Sequence, residues 1–302
     1  MDLKSKIILI SGPTASGKSS FAIKLAKKIN GEIINADSMQ VYKELKILSA
    51  RPKPKDYQKI KHHLYGFQNI KKYFSAGDWL KLAKKKIEDL KKRKKTPIIV
   101  GGTGLYFKSI LEGLVNIPKI PLRHRKKVRS MHKNLGQKSF YKKLLKLDPK
   151  SKNKINSTDS QRSIRAYEVK YFTKKSLHDW FKETKSNFNK NIFFKIYIDF
   201  PRTELIQEIN KRTEQMIKDG AVNEVKRIIK LNIRKDNSVN KAIGIGEIKK
   251  YLNDEKNLED IKEEISIKTR QYAKRQRTWA RGNMMSWLKL EPQDINKFLK
   301  KI

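Results

Sequence analysis

The sequence predicts the α/β class, with a parallel sheet flanked by helices and an all-helical insert. Short, continuous apolar segments alternate with helical segments in the first 115 residues, as in parallel sheets buried on both faces. A glycine-rich segment joins the first strand to the first helix. Between residues 116 and 189 only helical periodicity remains. We therefore expect a core from residues 1–115 and 190–302, with residues 116–189 inserted as a second domain.

The elements follow in chain order. Predicted strands cover residues 7–10, 32–36, 97–100 and 192–200. The first predicted helix has one apolar face, formed by Phe21, Ala22, Leu25, Ala26 and Ile29. Further helices are predicted at residues 79–95 and 105–111, and helices dominate after Pro201. Pro118 and Pro121 mark the start of the insert.

The composition excludes several classes of protein. With 37% hydrophobic residues the chain is not predicted to be disordered. It has no cysteine, which excludes disulfides and cysteine-bound metals. It also lacks the apolar run of about 20 residues that a membrane helix needs, so we expect a soluble, cytoplasmic protein. Nothing in the sequence demands more than a monomer. The 72 Lys and Arg against 30 Asp and Glu give a net charge of +42, which indicates either a polyanionic partner or a lysine-rich proteome.

One segment matches the P-loop pattern and lies between a predicted strand and helix, as that motif requires. Its backbone N–H groups converge on phosphate, Lys18 adds a positive charge, and the Ser19 hydroxyl is a candidate Mg²⁺ ligand. The predicted diphosphate site consists of Gly12, Pro13, Thr14, Ala15, Ser16, Gly17, Lys18 and Ser19. The motif indicates binding of a diphosphate or triphosphate, but not which reaction follows.

Two further motifs follow predicted strands. Asp37 ends the second strand, so it should lie beside the P-loop, because ligands of open α/β sheets bind at the carboxyl ends of strands. It is a candidate general base, Mg²⁺ ligand or helix cap. Residues 101–106 follow the third strand, where glycines allow a ligand to approach the backbone and Thr103 offers a hydroxyl. A tight strand-to-helix turn explains that segment equally well.

Together these motifs resemble the tRNA dimethylallyltransferase family, also called tRNA isopentenyltransferases. The resemblance extends over roughly residues 7 to 287 and is that of the bacterial form. It includes residues 49–52, 62–64, 73–78, 99–113, 159–168, 212–220 and 269–279. The chain departs from the family pattern at Leu48, Gly66, Ile245 and Gly246.

The resemblance implies transfer of a dimethylallyl group from dimethylallyl diphosphate to N6 of the adenosine 3′-adjacent to the anticodon of tRNA. Asp37 would accept the amine proton. Lys18, Thr103, Arg212 and Mg²⁺ would stabilise the leaving diphosphate. The adenine must leave its stack to reach the donor.

The anticodon stem-loop would be the second partner. Arg162 and Arg165 lie three residues apart on one helix face and suit phosphate, although Arg165 can instead pair with Glu168. Four basic residues share a face of the last long helix and suit a phosphate backbone. The alternative interpretation is that this is an ordinary solvated face. The predicted tRNA contacts are Asp37, Ser38, Met39, Gln40, Thr103, Arg125, Gln161, Arg162, Ser163, Ile164, Arg165, Lys241, Gly244, Arg270, Lys274, Arg277 and Arg281.

Three alternative functions remain at this point. A small-molecule or nucleotide kinase would share the P-loop, but no second-substrate motif of a kinase is evident. A prenyltransferase acting on free adenine nucleotides would share the whole core. A non-catalytic RNA-binding protein would have no need of Lys18, Asp37, Thr103 and Arg212 together. The helical insert and the basic helix favour tRNA.

Overall fold

A computed structural model describes residues 3–186, 188–234 and 236–302. The chain forms two compact units. The first consists of Met1–Leu111 and Phe188–Ile302, and the second of Glu112–Asn187.

The first unit is built on a six-stranded sheet in which every pairing is parallel. Its strands are β1 (Ile7–Ser11), β2 (Gly31–Asn35), β3 (His62–His63), β4 (Thr96–Gly101), β5 (Phe193–Ile198) and β6 (Leu288–Leu290). Their order is β3-β2-β4-β1-β5-β6. The predicted α/β class is confirmed. The short edge strands β3 and β6 were not predicted, because two or three residues show no periodicity.

Eleven α-helices lie in the described residues. They are α1 (Lys18–Lys28), α2 (Ala76–Lys92), α3 (Gly104–Glu112), α4 (Leu122–Leu147), α5 (Ser160–Thr173), α6 (Leu177–Lys182), α7 (Arg202–Lys218), α8 (Ala221–Lys230), α9 (Ile245–Leu252), α10 (Leu258–Asn283) and α11 (Pro292–Lys300). No described helix is both long enough and apolar enough to cross a membrane.

The central strands are continuous apolar runs because helices cover both sides of the sheet. All five residues of β1 are buried, and Ile8 pairs with Ile98 of β4 and Phe194 of β5. Helices α1 and α11 cover one apolar core. A second core joins α8, α9 and α10 to the loop that follows β2. The sheet therefore presents the carboxyl ends of β1, β2 and β4 side by side.

Helix α2 begins three residues before the predicted start. Ser75 accepts a hydrogen bond from the Asp78 N–H at 3.2 Å, while the Asp78 carboxylate accepts from the Ser75 N–H at 2.9 Å. This reciprocal capping box satisfies N–H groups that a helix start leaves unpaired. The helix therefore begins where its cap lies, at Ser75, and not at the first apolar residue, Trp79.

The second unit is helical, with an apolar core of its own around Phe140, Leu144 and Tyr167. Helix α4 is interrupted at Gly136, which has φ 69° and ψ 167°. Such a backbone conformation strains residues with a Cβ. Helix α4 is therefore kinked and consists of two helical parts joined at that glycine.

Candidate active site

The three sequence motifs meet at one edge of the sheet. The P-loop follows β1, Asp37 follows β2, and the Gly101–Thr103 turn follows β4, and these three strands are neighbours. The turn needs glycine, because a Cβ on Gly101 would lie 2.1 Å from the Ala36 carbonyl oxygen. Close backbone contact between the two loops holds the chemistry-bearing residues together.

The P-loop encloses a cavity of about 120 Å³. We call it the anion cavity. Its lining residues are Thr14, Ala15, Ser16, Gly17, Lys18, Ser19, Asp37, Gln40, Ser49, Ala50, Tyr65, Val100, Gly101 and Arg212. The Ser16 hydroxyl is buried and has no hydrogen-bond partner in the described residues. An unpaired buried donor is costly unless a ligand accepts its hydrogen bond. The unpaired hydroxyl is therefore a second indication that this cavity binds an anion.

Lys18 supplies the cavity with a charge that depends on pH. Its Nζ donates to the Pro13 carbonyl oxygen at 2.9 Å. Burial lowers the pKa of Lys18 to about 8; the Asp37 carboxylate opposes this shift and Arg212 adds to it. An anion bound beside Lys18 would stabilise the protonated amine.

Arg212 reaches the P-loop from α7. Its Nη1 donates to the Thr14 hydroxyl at 2.9 Å. Burial lowers the pKa of Arg212, and Asp37 opposes the shift. A guanidinium nevertheless remains charged at neutral pH, so two cations face the anion cavity. The structure thus brings Arg212 of α7 to the anion cavity.

Asp37 has a structural role as well as a position in the site. Its Oδ1 accepts hydrogen bonds from the Met39 N–H at 2.8 Å and the Gln40 N–H at 3.4 Å. Its own N–H donates to the Asn35 side chain at 2.8 Å. The capping role that the sequence left open is therefore present. For the described residues no hydrogen bond involves Oδ2, which leaves that oxygen for a substrate.

Thr103 lies beside the anion cavity without lining it. Its hydroxyl accepts from the Ser38 N–H at 3.0 Å and donates to the Ser38 hydroxyl at 3.4 Å. In this arrangement Thr103 fastens the loop after β2 to the loop after β4. Thr103 also lines a neighbouring cavity of about 290 Å³, together with Tyr197, Tyr272 and Trp279.

A mostly apolar cavity of about 200 Å³ adjoins the anion cavity. The two cavities share the lining residues Thr14, Asp37, Ser49 and Arg212. The apolar cavity is further lined by Ser38, Met39, Leu48, Ile209, Thr213, Met216, Lys241, Ala242, Ile243, Thr269 and Tyr272. An anionic head and a short apolar group joined to it would therefore find matching surroundings on either side of Asp37.

A residue that the sequence did not single out supports the wall of this site. Buried Glu224 of α8 accepts hydrogen bonds from the N–H groups of Lys46, Ile47 and Leu48 at 2.9–3.2 Å. The carboxylate thereby fixes the loop that carries Leu48 and Ser49 into the cavities. No local signal identifies Glu224, since its partners lie more than 170 residues away along the chain.

Two of the positions that depart from the family pattern, Leu48 and Gly66, lie at this loop or contact the residues that follow it. The Cδ2 of Leu48 would lie 2.5 Å from a Cβ on Gly244, whose φ is +101°. A Cβ on Gly66 would lie 1.8 Å from the Arg51 Nη1, and that guanidinium donates to the Tyr42 carbonyl oxygen. The Leu48 side chain thus occupies the space where a side chain at position 244 would lie, and the Arg51 side chain does the same at position 66.

The basic face of α10 lines a groove of about 560 Å³ together with α7. Its charged members are Arg202, Arg270, Lys274, Arg277 and Arg281, and the sequence analysis missed the first. We call it the basic groove. Leu205 and Ile209 form part of its lining. Asp199, which follows β5, lies 3.7 Å from the Arg277 Nη2, so an acid distant in sequence partly neutralises the face.

In the second unit the predicted tRNA residues differ in exposure. Arg162 is exposed and pairs with Asp159 at 2.7 Å. The Ser163 side chain, in contrast, is fully buried. Ile164 packs against the core of the unit, and Gln161 is exposed.

The intrahelical pairing that the sequence left open also occurs. Arg165 lies 3.7 Å from the carboxylate of Glu168. Arg125 and Arg129 approach the same carboxylate at 3.6 Å and 3.5 Å, and Glu168 is 3% exposed. One buried acid therefore holds three arginines together, since a lone buried carboxylate would be unfavourable.

The anion cavity offers oxygen donors to a metal ion. The Ser19 hydroxyl and the Asp37 carboxylate both line it, and oxygen ligands suit Mg²⁺. In the ranges that the structure describes, no group of three or more His, Cys, Asp or Glu side chains could hold a metal ion. Mg²⁺ commonly takes one or two protein ligands and completes its shell with phosphate oxygens and water, so the donor set fits.

The chain is similar in sequence to known proteins. Residues 40–283 match the model of the family described as IPP transferase. The tRNA dimethylallyltransferase of Pelagibacter ubique (strain HTCC1062) is 61% identical over 302 residues, which cover 100% of this chain and 96% of that protein. That of Rickettsia massiliae (strain Mtu5) is 43% identical over 297 residues, covering 98% and 82%.

Solved structures show the same architecture. The full-length tRNA isopentenylpyrophosphate transferase of Bacillus halodurans matches with TM-score 0.70 and 30% identity, covering 98% of this chain and 95% of that one. A eukaryotic dimethylallyltransferase acting on tRNA matches with TM-score 0.84 and 28% identity, covering 99% and 78%. This chain therefore belongs to the IPP transferase family, that of the tRNA dimethylallyltransferases.

Proposed function

We propose that this protein transfers the dimethylallyl group of dimethylallyl diphosphate to N6 of the adenosine 3′-adjacent to the anticodon in tRNA, releasing diphosphate. One observation carries the proposal: the anion cavity and the apolar cavity share Thr14, Asp37, Ser49 and Arg212. A five-carbon group joined to diphosphate matches that pair of cavities. With the donor bound in this way, the carboxylate of Asp37 would lie beside the bond to the diphosphate that breaks.

The donor's diphosphate would occupy the anion cavity. Lys18 and Arg212 supply positive charge to it, and the first residues of α1 line it, where the N-terminus of a helix favours an anion. When the C–O bond breaks, these preorganised groups stabilise the charge that develops on the leaving diphosphate. Mg²⁺ would be held by the Ser19 hydroxyl and would supply further positive charge to the diphosphate oxygens.

The acceptor is a weak nucleophile, so the loss of its proton must accompany bond formation. As the N6–C bond forms and the C–O bond breaks, the amine proton passes to the Asp37 Oδ2 and diphosphate leaves. The allylic carbon tolerates positive charge, which leaves orientation of the two substrates as a large part of the catalysis. The two hydrogen bonds on Oδ1 hold the carboxylate in a fixed orientation for this step.

The basic groove supports RNA as the acceptor rather than a free nucleotide. Its five basic side chains extend along α7 and α10, well beyond the needs of a single nucleotide. Positive charges along a groove bind a phosphate backbone and release its counterions. The exposed Arg162 and the arginines held by Glu168 would contact the same RNA.

Transfer of labelled dimethylallyl diphosphate tests the proposal. The pure protein, with Mg²⁺, receives either unmodified tRNA or AMP as acceptor. We expect label in tRNA, and its loss when the adenosine 3′ of the anticodon is replaced. Label in AMP alone would establish a nucleotide prenyltransferase instead. No transfer to either acceptor, with turnover of ATP, would show that the P-loop serves a triphosphate and refute the proposal.

A further inference from the structure

Gln276 connects the P-loop with the loop that follows β4, although it belongs to neither. It lies in α10, and its Oε1 accepts a hydrogen bond from the Thr14 N–H at 2.8 Å. Its Nε2 donates to the Gly102 carbonyl oxygen at 3.0 Å. Because one partner is a donor and the other an acceptor, only a side-chain amide in this orientation satisfies both.

Both partners belong to segments that form the active site. Thr14 is the P-loop residue whose hydroxyl also accepts from Arg212. Gly102 directly precedes Thr103, whose hydroxyl binds the Ser38 N–H. Hydrogen bonds, joined by short stretches of backbone at Thr14 and at Gly102–Thr103, thus link α7, the P-loop, Gln276 and the loop beside Asp37.

The backbone at Gly102 is adapted to this contact. A Cβ on Gly102 would lie 2.1 Å from the Gln276 Nε2. An alanine there would therefore displace the amide, although nothing about the local backbone requires glycine through a positive φ. The glycine and the glutamine form a matched pair.

We propose that Gln276 is a positioning residue that sets the spacing between the P-loop and the loops carrying Thr103 and Asp37. The inference rests on the proposed function. Since α10 also carries Arg270, Lys274 and Arg277 of the basic groove, the helix that receives RNA is the helix that holds the donor site in register. A shift of about 1 Å between reacting groups can reduce a rate about 100-fold.

The test compares Gln276→Ala, Gly102→Ala and the double variant. For each we would measure kcat and the KM for tRNA in the transfer assay. We expect kcat to fall about 10- to 100-fold in each single variant, with the KM for tRNA within about twofold of wild type, since no charge in the groove changes. Gln293→Ala is the matched control, because exposed Gln293 of α11 bonds only locally, to Glu291.

The double variant separates positioning from a general loss of stability. In the Gln276→Ala background the space opposite residue 102 is empty, so Gly102→Ala should add less than about twofold, a clear failure of additivity. Gln276→Met, which keeps the side-chain volume but loses both bonds, should behave like Gln276→Ala. A wild-type kcat in Gln276→Met would overturn the inference. So would a double variant whose loss of kcat equals the product of the losses in Gln276→Ala and Gly102→Ala.

A binding measurement distinguishes this inference from the proposed function. Inorganic diphosphate is titrated into the wild type and into Gln276→Met by calorimetry. We expect about tenfold weaker binding by the variant, because the P-loop loses its contact with α10 and must be ordered by the ligand. If the wild type transfers no label, the proposed function fails, while this difference still supports the role of Gln276. Equal affinity together with equal kcat would refute it.

Discussion

Replacement of Asp37 by asparagine separates the two roles that the structure gives this carboxylate. The Oδ1 accepts from the Met39 N–H at 2.8 Å and the Gln40 N–H at 3.4 Å. An asparagine oxygen can accept the same bonds, as the preceding Asn35 does from the Asp37 N–H. The amide cannot accept a proton from the substrate. Asp37→Asn thus keeps the turn and removes the base, whereas Asp37→Ala removes both.

The expected magnitudes follow from the two roles. Loss of a general base typically costs a factor of about 10² to 10⁴, so transfer by either variant should fall at least about 100-fold. Loss of the turn costs the contribution of a strong and a weak hydrogen bond to a charged acceptor, about 2 kcal/mol together. We expect this destabilisation in Asp37→Ala and less than about half of it in Asp37→Asn.

Two assays check these expectations. Single-turnover transfer at saturating tRNA and donor measures the chemical step without product release. Urea unfolding measures the free energy of unfolding of the same proteins. Transfer by Asp37→Asn at nearly the wild-type rate would remove the assignment of Asp37 as base. Equal stability of the wild type and Asp37→Ala would show that the turn does not depend on the carboxylate.

Three further predictions concern charge and the cavity wall. Because burial lowers the pKa of Lys18 to about 8, kcat/KM for the donor should fall about tenfold per pH unit above that value as the amine loses its proton. The Lys18→Met variant should be slow at every pH and show no such decline. A wild-type pH profile that stays flat to pH 10 would contradict the assignment. Arg270→Ala combined with Arg277→Ala should make the slope of log Kd for tRNA against log salt shallower by about one to two, and an unchanged slope would place RNA elsewhere. Glu224→Ala leaves three N–H groups without their acceptor and should lower the free energy of unfolding by about 3 kcal/mol. Urea unfolding measures this change, with Glu259→Ala as an exposed control. A loss below about 0.5 kcal/mol would show that water replaces the carboxylate.

The strands and the P-loop were predictable because their signals are local. A strand buried on both faces reads as a continuous apolar run, and β1, β2, β4 and β5 all lie within two residues of their predicted limits. Edge strands β3 and β6 have two and three residues, too few for any pattern. Their place in the sheet depends on pairing with neighbours remote in sequence, such as Ile33 with His62.

Helix faces were predicted less completely than helix positions. The basic face of α10 was expected from its spacing, but the contact of Arg277 with Asp199 was not. Likewise the pattern of α5 indicated an arginine pair, while the approach of Arg125 and Arg129 to Glu168 depends on how α4 packs against α5. Periodicity describes one helix, and the residues that face it come from elsewhere in the chain.

The sequence by itself determined the class of fold, the P-loop, and the family to which the chain belongs, because each depends on residues close together in the chain. Tertiary structure alone decided that Thr103 fastens Ser38, that Glu224 holds the cavity wall, and that Gln276 joins the P-loop to Gly102. These contacts span from 65 to 262 residues. No local rule specifies them, since they form only when packing of the sheet and helices brings distant polar groups within hydrogen-bonding distance.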